Sequence, residues 1–152
     1  MPAGNLLAPI IKVLVASTAH ITTEASTAFE VPVGVDTYQI VLRFTTVTGT
    51  SPTCDAQLQT SFDAGTTYIG LPIRSTQVTA AGLIYWVFKL GLGGNEVALE
   101  SPAAATGGTL AKNCIFDPTK MRVNFTIGGT NPSFTVTILG FFSPKSGRGS
   151  GY

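Results

Sequence analysis

The chain has 152 residues and a net charge of +1, with 11% of its residues charged and 44% hydrophobic, whereas soluble proteins usually carry roughly 25% charged residues. Lys and Arg stand singly, with no basic stripe interleaved with aromatics, which excludes the electrostatic footprint of nucleic-acid binding. No apolar run approaches the roughly 18 residues of a membrane span.

A chain of this length can bury roughly 70% of the surface it exposes when unfolded, so one domain with one core is expected. The shortage of charge leaves a neutral exterior with little repulsion between molecules. Contact with copies of itself or with a partner is therefore expected over much of the surface.

Residues 1–9 contain Pro2, Gly4 and Pro9 and read as a flexible, extended N-terminal arm. The stretch 6–19 superficially resembles a secretory signal, but it has no basic leader and Lys12 interrupts it, so it is read as arm and first strand. Ile11, Val13 and Val15 alternate along that strand, and residues 20–31 continue in strand-like fashion with Ile21, Phe29 and Val31. Residues 32–36 read as a turn.

Residues 38–62 and 121–142 then form a pair of similar units. In the first, Tyr38, Ile40, Leu42 and Phe44 share one parity and lead to the loop Gly49-Thr50-Ser51-Pro52-Thr53. In the second, the corresponding loop is Gly129-Thr130-Asn131-Pro132-Ser133. Beyond the loops Cys54, Ala56, Leu58 and Phe62 match Phe134, Val136, Ile138 and Phe142. Each unit is expected to be a β-hairpin turning at its Gly/Pro loop. Aligned on the loops, Phe44 falls opposite Asn124 and not Phe125, a slip that would turn the strand inside out; a β-bulge or longer loop near residues 46–48 is expected to restore the register.

The strand after the first loop should bury Cys54, Ala56, Leu58 and Phe62 and expose Asp55, Gln57, Gln59 and Ser61. Asp63-Ala64-Gly65 signals a tight turn. A short strand over 73–78 follows, and 83–90, the most hydrophobic run, is the expected central strand. Residues 91–108 are rich in Gly, Ala and Pro and should hold a hairpin near 95–99 and then a flexible excursion. Strand returns over 110–116, Asp117-Pro118-Thr119 turns, and 143–152 is a flexible basic tail. Together these signals define an all-β fold: an antiparallel, jelly-roll-like β-sandwich of about 8–10 strands spanning residues 10–142. An immunoglobulin-like Greek key is the alternative, though Trp86 and the cysteine spacing do not make a true immunoglobulin pattern.

Chemistry-bearing motifs are nearly absent. His20 is the only histidine and has no Gly-x-Ser-x-Gly elbow beside it, so no catalytic triad is expected. Asp36, Asp63 and Asp117 sit in turn contexts that account for them without chemistry. Cys54 and Cys114 are too few for a disulfide framework and lack zinc-ligand company. Free buried thiols are expected, with a Cys54–Cys114 bridge left open. Asn124-Phe125-Thr126 matches a glycosylation acceptor but lies mid-strand. Tyr68, Tyr85 and Trp86 could make an aromatic platform for a sugar if all three shared an exposed face; the expectation is that at least two of them pack in the core or an interface. No enzyme activity, cofactor or metal is expected.

The runs Val47-Thr48-Gly49-Thr50-Ser51-Pro52-Thr53, Leu58-Gln59-Thr60-Ser61-Phe62-Asp63-Ala64-Gly65-Thr66-Thr67-Tyr68, Met121-Arg122-Val123 and Ile127-Gly128-Gly129-Thr130-Asn131-Pro132-Ser133-Phe134 resemble small β-rich head proteins of tailed bacteriophages. The resemblance is to capsid decoration, or cement, proteins and covers about residues 38–142. It implies a protein that sits on the outer surface of the virion, commonly as a homotrimer, and contacts the major capsid protein. Arm, long loop and tail are then the expected contact segments, represented by Leu6, Leu7, Pro102, Ala104, Lys145, Arg148 and Tyr152. A receptor- or glycan-binding module of a tail or fibre is the alternative; the major capsid protein itself is disfavoured by the short chain.

Overall fold

The structure, a computed structural model, describes residues 10–31, 35–91, 94–100, 111–112 and 119–144. It is all-β: the described residues contain eight strands and no helix. The strands are β1 (Ile10–His20), β2 (Glu24–Ala25), β3 (Val35–Thr60), β4 (Ile69–Arg74), β5 (Gly82–Gly91), β6 (Gly94–Glu100), β7 (Ala111–Lys112) and β8 (Met121–Pro144). They form one antiparallel sheet in the order β1-β8-β3-β5-β6-β7, with β2 also on β8 and β4 also on β3.

Two strands dominate, β3 with 26 residues and β8 with 24. Both run straight through the loops expected to reverse them. Neither repeated unit is a hairpin; the two pair with each other, from Val35↔Pro144 at one end to Thr60↔Met121 at the other. Gly and Pro signal a break in regular strand geometry, but a kink and a reversal use the same residues, and long-range pairing chose the kink.

That pairing has an approximate two-fold symmetry centred on Thr50↔Thr130. Cys54 corresponds to Phe134 in the repeat and Ile127 to Val47, and the observed pairs are Cys54↔Ile127 and Val47↔Phe134. The backbone obeys the same exchange: φ is positive at Gly49 (116°) and Gly129 (108°), and again at Ser51 (48°) and Asn131 (50°). A Cβ on Gly49 would lie 2.7 Å from the Asn131 carbonyl oxygen and 2.9 Å from Pro132 Cα, while one on Gly129 would lie 2.7 Å from the Ser51 oxygen and 3.0 Å from Pro52 Cα. Each glycine makes room for the other copy's proline segment.

The register slip read from the sequence is resolved by an irregularity between Phe44 and Thr46, just before the expected segment. Phe44 pairs with Val136 on one side of it and Thr46 with Thr135 on the other. The extra residue, Thr45, lets Phe44 keep its ring inside, where it meets Phe125 and Phe134 edge-on at centroid distances of 6.5 and 6.2 Å.

The crossing divides the curled sheet into two halves. The first comprises β3 up to Thr48 and β8 from Ser133, flanked by β1 and β5; the second comprises β3 from Thr53 and β8 up to Gly128, flanked by β4 and β2. Inward residues of both build one core. Tyr38, Ile40, Leu42, Trp86, Phe88, Phe134, Ile138 and Phe142 come from the first half, and Cys54, Ala56, Leu58, Met121, Val123 and Phe125 from the second. Tyr38 stacks on Phe88 at 4.5 Å.

Several local expectations are corrected. Phe62 is 57% exposed and Ser61 is fully buried, the reverse of strict alternation, because β3 ends at Thr60. There Ser61 donates through Oγ to Asp63 Oδ1 (2.7 Å) and accepts from the Gly65 N–H (2.9 Å), which turns the chain and swings Phe62 outward. In β1 only Val15 of the expected series is buried; Ile11 and Val13 are 62% and 55% exposed, since a register shift between Val13 and Val15 moves them to opposite faces. Residues 20–31 supply only the two-residue β2 and a bridge from Phe29 to Met121. Of the turn expected over 32–36, residues 35 and 36 already belong to β3, and 32–34 lie outside the described residues. The short strand lies at Ile69–Arg74 instead of 73–78, with Val78 bridging to Cys54. β8 runs two residues past 142, to Pro144.

Candidate functional site

Three described side chains with chemical potential, His20, Asp63 and Cys54, are engaged in structure. His20 is 5% exposed, with Nδ1 2.9 Å from Glu24 Oε1 and its ring 4.5 Å from that of Phe125. Asp63 caps its turn: Oδ1 accepts from Ser61 Oγ and from the Thr67 N–H, both at 2.7 Å. These bonds, the Thr67 N–H first, lower its pKa from 3.8 to about 2. Cys54 is a free, buried cysteine. Burial, helped by neighbouring Asp55, pushes its thiol up to about 12, which makes it a poor nucleophile. Cys114 and Asp117 lie outside the described residues. Asn124 sits inside β8 beside the fully buried Phe125. Among the described residues no three His, Cys, Asp or Glu side chains gather as a metal site would need.

The three aromatics do not form a platform. Trp86 is fully buried, and Tyr85, its neighbour in β5, points to the opposite face. Tyr68 lies in the second half under the Arg122 guanidinium, 3.9 Å from ring centroid to Cζ, and Arg122 Nε donates to Gln59 Oε1 at 2.7 Å. The expected contact residues Leu6, Leu7, Pro102, Ala104, Lys145, Arg148 and Tyr152 all lie outside the described residues.

What remains is a surface. Residues paired directly across strands share a face, so the register defines what the first half turns away from the core. One row runs Ile11–Phe141–Gln39–Val87, the next Val13–Leu139–Val41–Tyr85, and the third Thr137–Arg43–Leu83. Eight of these eleven side chains are aliphatic or aromatic. Ile11, Val13 and Leu83 are 62%, 55% and 49% exposed. Phe141, Leu139, Tyr85 and Val87 are half-buried by their neighbours, and Val41 is 7% exposed although it does not belong to the core cluster.

The second half supplies an internal reference. Its outward rows are Asp55–Thr126, Gln57–Asn124 and Gln59–Arg122, polar throughout. The same long strands thus carry an ordinary solvated face at one end and an apolar face at the other. The signal for this lay in consecutive apolar pairs within strands, Val41-Leu42, Phe141-Phe142 and the run 83–88, which fill both faces instead of one.

No protein-family model, no curated protein and no solved structure matches this chain.

Proposed function

We propose that this chain is a structural virion protein that decorates and stabilises the outside of an icosahedral bacteriophage capsid. The observation that carries the reading is the apolar outer face of the first half, on a chain whose His20, Cys54 and Asp63 are engaged in its own fold. Such a protein works by contact area. The motif resemblance around the Gly-Thr-Ser-Pro and Gly-Thr-Asn-Pro segments supplies the class, and the low charge density fits a surface that is covered in use.

In this reading the two halves of the curled sheet serve as the layers of a jelly-roll-like sandwich. The protein is a homo-oligomer, with a trimer as the state the resemblance favours. Residues 1–9, 101–110 and 145–152 reach the major capsid protein. Leu6, Leu7, Pro102, Ala104, Lys145, Arg148 and Tyr152 are the proposed contacts. Segments that order on contact exchange conformational entropy for a wide footprint. A glycan-binding module of a tail or fibre draws less support, because Trp86 is buried and Tyr68 is covered by Arg122.

The test is co-sedimentation of the purified protein with expanded phage shells, followed by thermal disruption of the shells. Saturable binding and a raised disruption temperature are expected, both lost when the arm, loop and tail are deleted together. Absence of shell binding at micromolar concentration, or undiminished binding by the triple deletion, would overturn the reading.

A further inference from the structure

We infer that the apolar outer face of the first half is the seat of a second copy of this chain, packed sheet against sheet about a two-fold axis. This goes beyond the proposed function: a two-fold pair is a different contact from the trimer that the resemblance favours, and it stands on the geometry of the face alone.

The first argument is shape and size. The face is four strands wide, β1-β8-β3-β5, and three rows high. With strands about 4.8 Å apart and same-face rows about 6.8 Å apart, its footprint is about 19 by 20 Å, or roughly 400 Å². A standard interface buries about 800 Å² per partner. The apolar rows thus supply about half of what a stable dimer needs, the share expected of an apolar centre within a polar rim. A single extended segment is one strand wide and could cover only part of such a face. A second sheet of the same width fits it.

The second argument is charge. Arg43, in the bottom row, is the single charged residue among these eleven, and where the second row continues into β6 the register sets Glu100 beside Tyr85 at the rim, so the eleven hold no cluster of like charge. The chain's net charge of +1 adds little repulsion at longer range.

The third argument is the comparison between halves. The polar rows of the second half show that these strands fold with Asp, Gln, Asn, Thr and Arg outside. Nothing in the sheet itself demands Ile11, Val13, Leu83, Leu139 and Phe141 on the equivalent surface of the first half. β1 also ends the sheet, and the described residues place no strand on its outer side. Such an edge, with apolar residues on it, is normally shielded.

The experiment compares the full-length chain with the double variant Val13→Glu/Leu83→Glu by sedimentation equilibrium over a range of concentrations. Both positions are about half exposed, so the fold tolerates the change, and unaltered emission from the buried Trp86 checks this. The control is Phe62→Glu/Ile69→Glu, equally exposed residues off this face. The wild type and the control are expected to reach twice the 15.8 kDa chain mass, or a multiple built from such pairs. The double variant is expected to dissociate at least about a hundredfold more readily, because the pair of chains would then hold four carboxylates without partners in an apolar seam. A monomeric wild type, or an oligomer indifferent to the double substitution, overturns the inference. If the double variant stays oligomeric but no longer co-sediments with shells, the face belongs to the shell contact: the inference fails while the proposed function stands. If it becomes monomeric, the inference holds whatever the shells show.

Discussion

Replacing Gly49 by Ala tests whether the crossing of β3 and β8 is the fixed point of the fold. At φ 116° the backbone lies where an L-residue is strained, at a cost of about 1–2 kcal/mol. The new Cβ would also stand 2.7 Å from one backbone oxygen and 3.0 Å from another, atoms that no side-chain rotation can move. Displacing them adds about 1–2 kcal/mol, so the expected loss is about 2–4 kcal/mol. Gly129→Ala should cost about the same, since its φ and its clash with the Ser51 oxygen mirror those of Gly49. Two further glycines calibrate the scale. Gly128 meets only the Thr53 hydroxyl, which can rotate away, and Gly82 has nothing within 4 Å; Gly82→Ala should fall within about 0.5 kcal/mol of wild type. Urea unfolding at one fixed protein concentration, followed by the emission of the sole tryptophan, Trp86, gives all of these values. The double variant Gly49→Ala/Gly129→Ala should lose less than the sum of the singles, because the first substitution already parts the two segments. If Gly49→Ala costs no more than Gly82→Ala, or if only one of the paired glycines matters, the reciprocal clasp is not what holds the strands.

Phe125→Ala should cost about 3–5 kcal/mol by the same assay, since the ring is fully buried between His20 and Phe44. Cys54, with its thiol held near 12, should resist iodoacetamide at pH 8 in the folded protein and react once the chain is unfolded, as peptide mass mapping would show. Rapid labelling of native Cys54 would contradict its place in the core. Because folding depresses the pKa of Asp63, its ion contributes stability above the ordinary value of 3.8, and that contribution is lost as pH falls toward 2. Asp63→Asn should therefore flatten the acid limb of the stability profile between about pH 4 and 2; an unaltered acid limb would show that the turn hydrogen bonds do not distinguish the ion.

Alternation was legible wherever one face of a strand is apolar and the other is not. Tyr38, Ile40, Leu42 and Phe44, then Cys54, Ala56 and Leu58, and likewise Phe134, Val136, Ile138 and Phe142, all point inward as their parity indicated. The slip between Phe44 and Asn124 was enough to require a bulge, because a sheet with one buried face cannot tolerate an odd shift. The path of the chain at Gly49 and Gly129 was not legible. Both a hairpin and a kink need residues that accept positive φ, and the choice depends on whether residues 54–60 pair with 38–44 or with 121–127, a non-local competition that no local pattern encodes. Phe62 failed for a smaller reason, the hydrogen bonds of Ser61 that follow the end of β3 at Thr60, two residues early. Of Tyr68, Tyr85 and Trp86, of which at least two are expected in the core or an interface, only Trp86 is fully buried. The apolar outer face was written in consecutive apolar residues, but run 83–90 looks the same whether its second face meets solvent, another layer or another molecule.

The approximate two-fold symmetry separates what the fold needs from what the surface does. Around Thr50↔Thr130 the two copies match in backbone angles, glycine clearance and pairing, and on the inward side both halves are apolar. Those features are bound to stability, and substitution there should show as lost folding energy. The outward sides differ although strand geometry treats them alike: Asp55, Gln57 and Gln59 in the second half, and Val41, Leu139 and Phe141 in the first. An exposed side chain such as Val13 or Leu83 contributes little to folding, so exchanging it for a polar one should leave stability within about 0.5 kcal/mol. Retaining apolar residues there has no stabilising return for the isolated chain and invites association. The asymmetry between two otherwise equivalent halves is thus the ground on which the proposed contact surface is placed on the first of them.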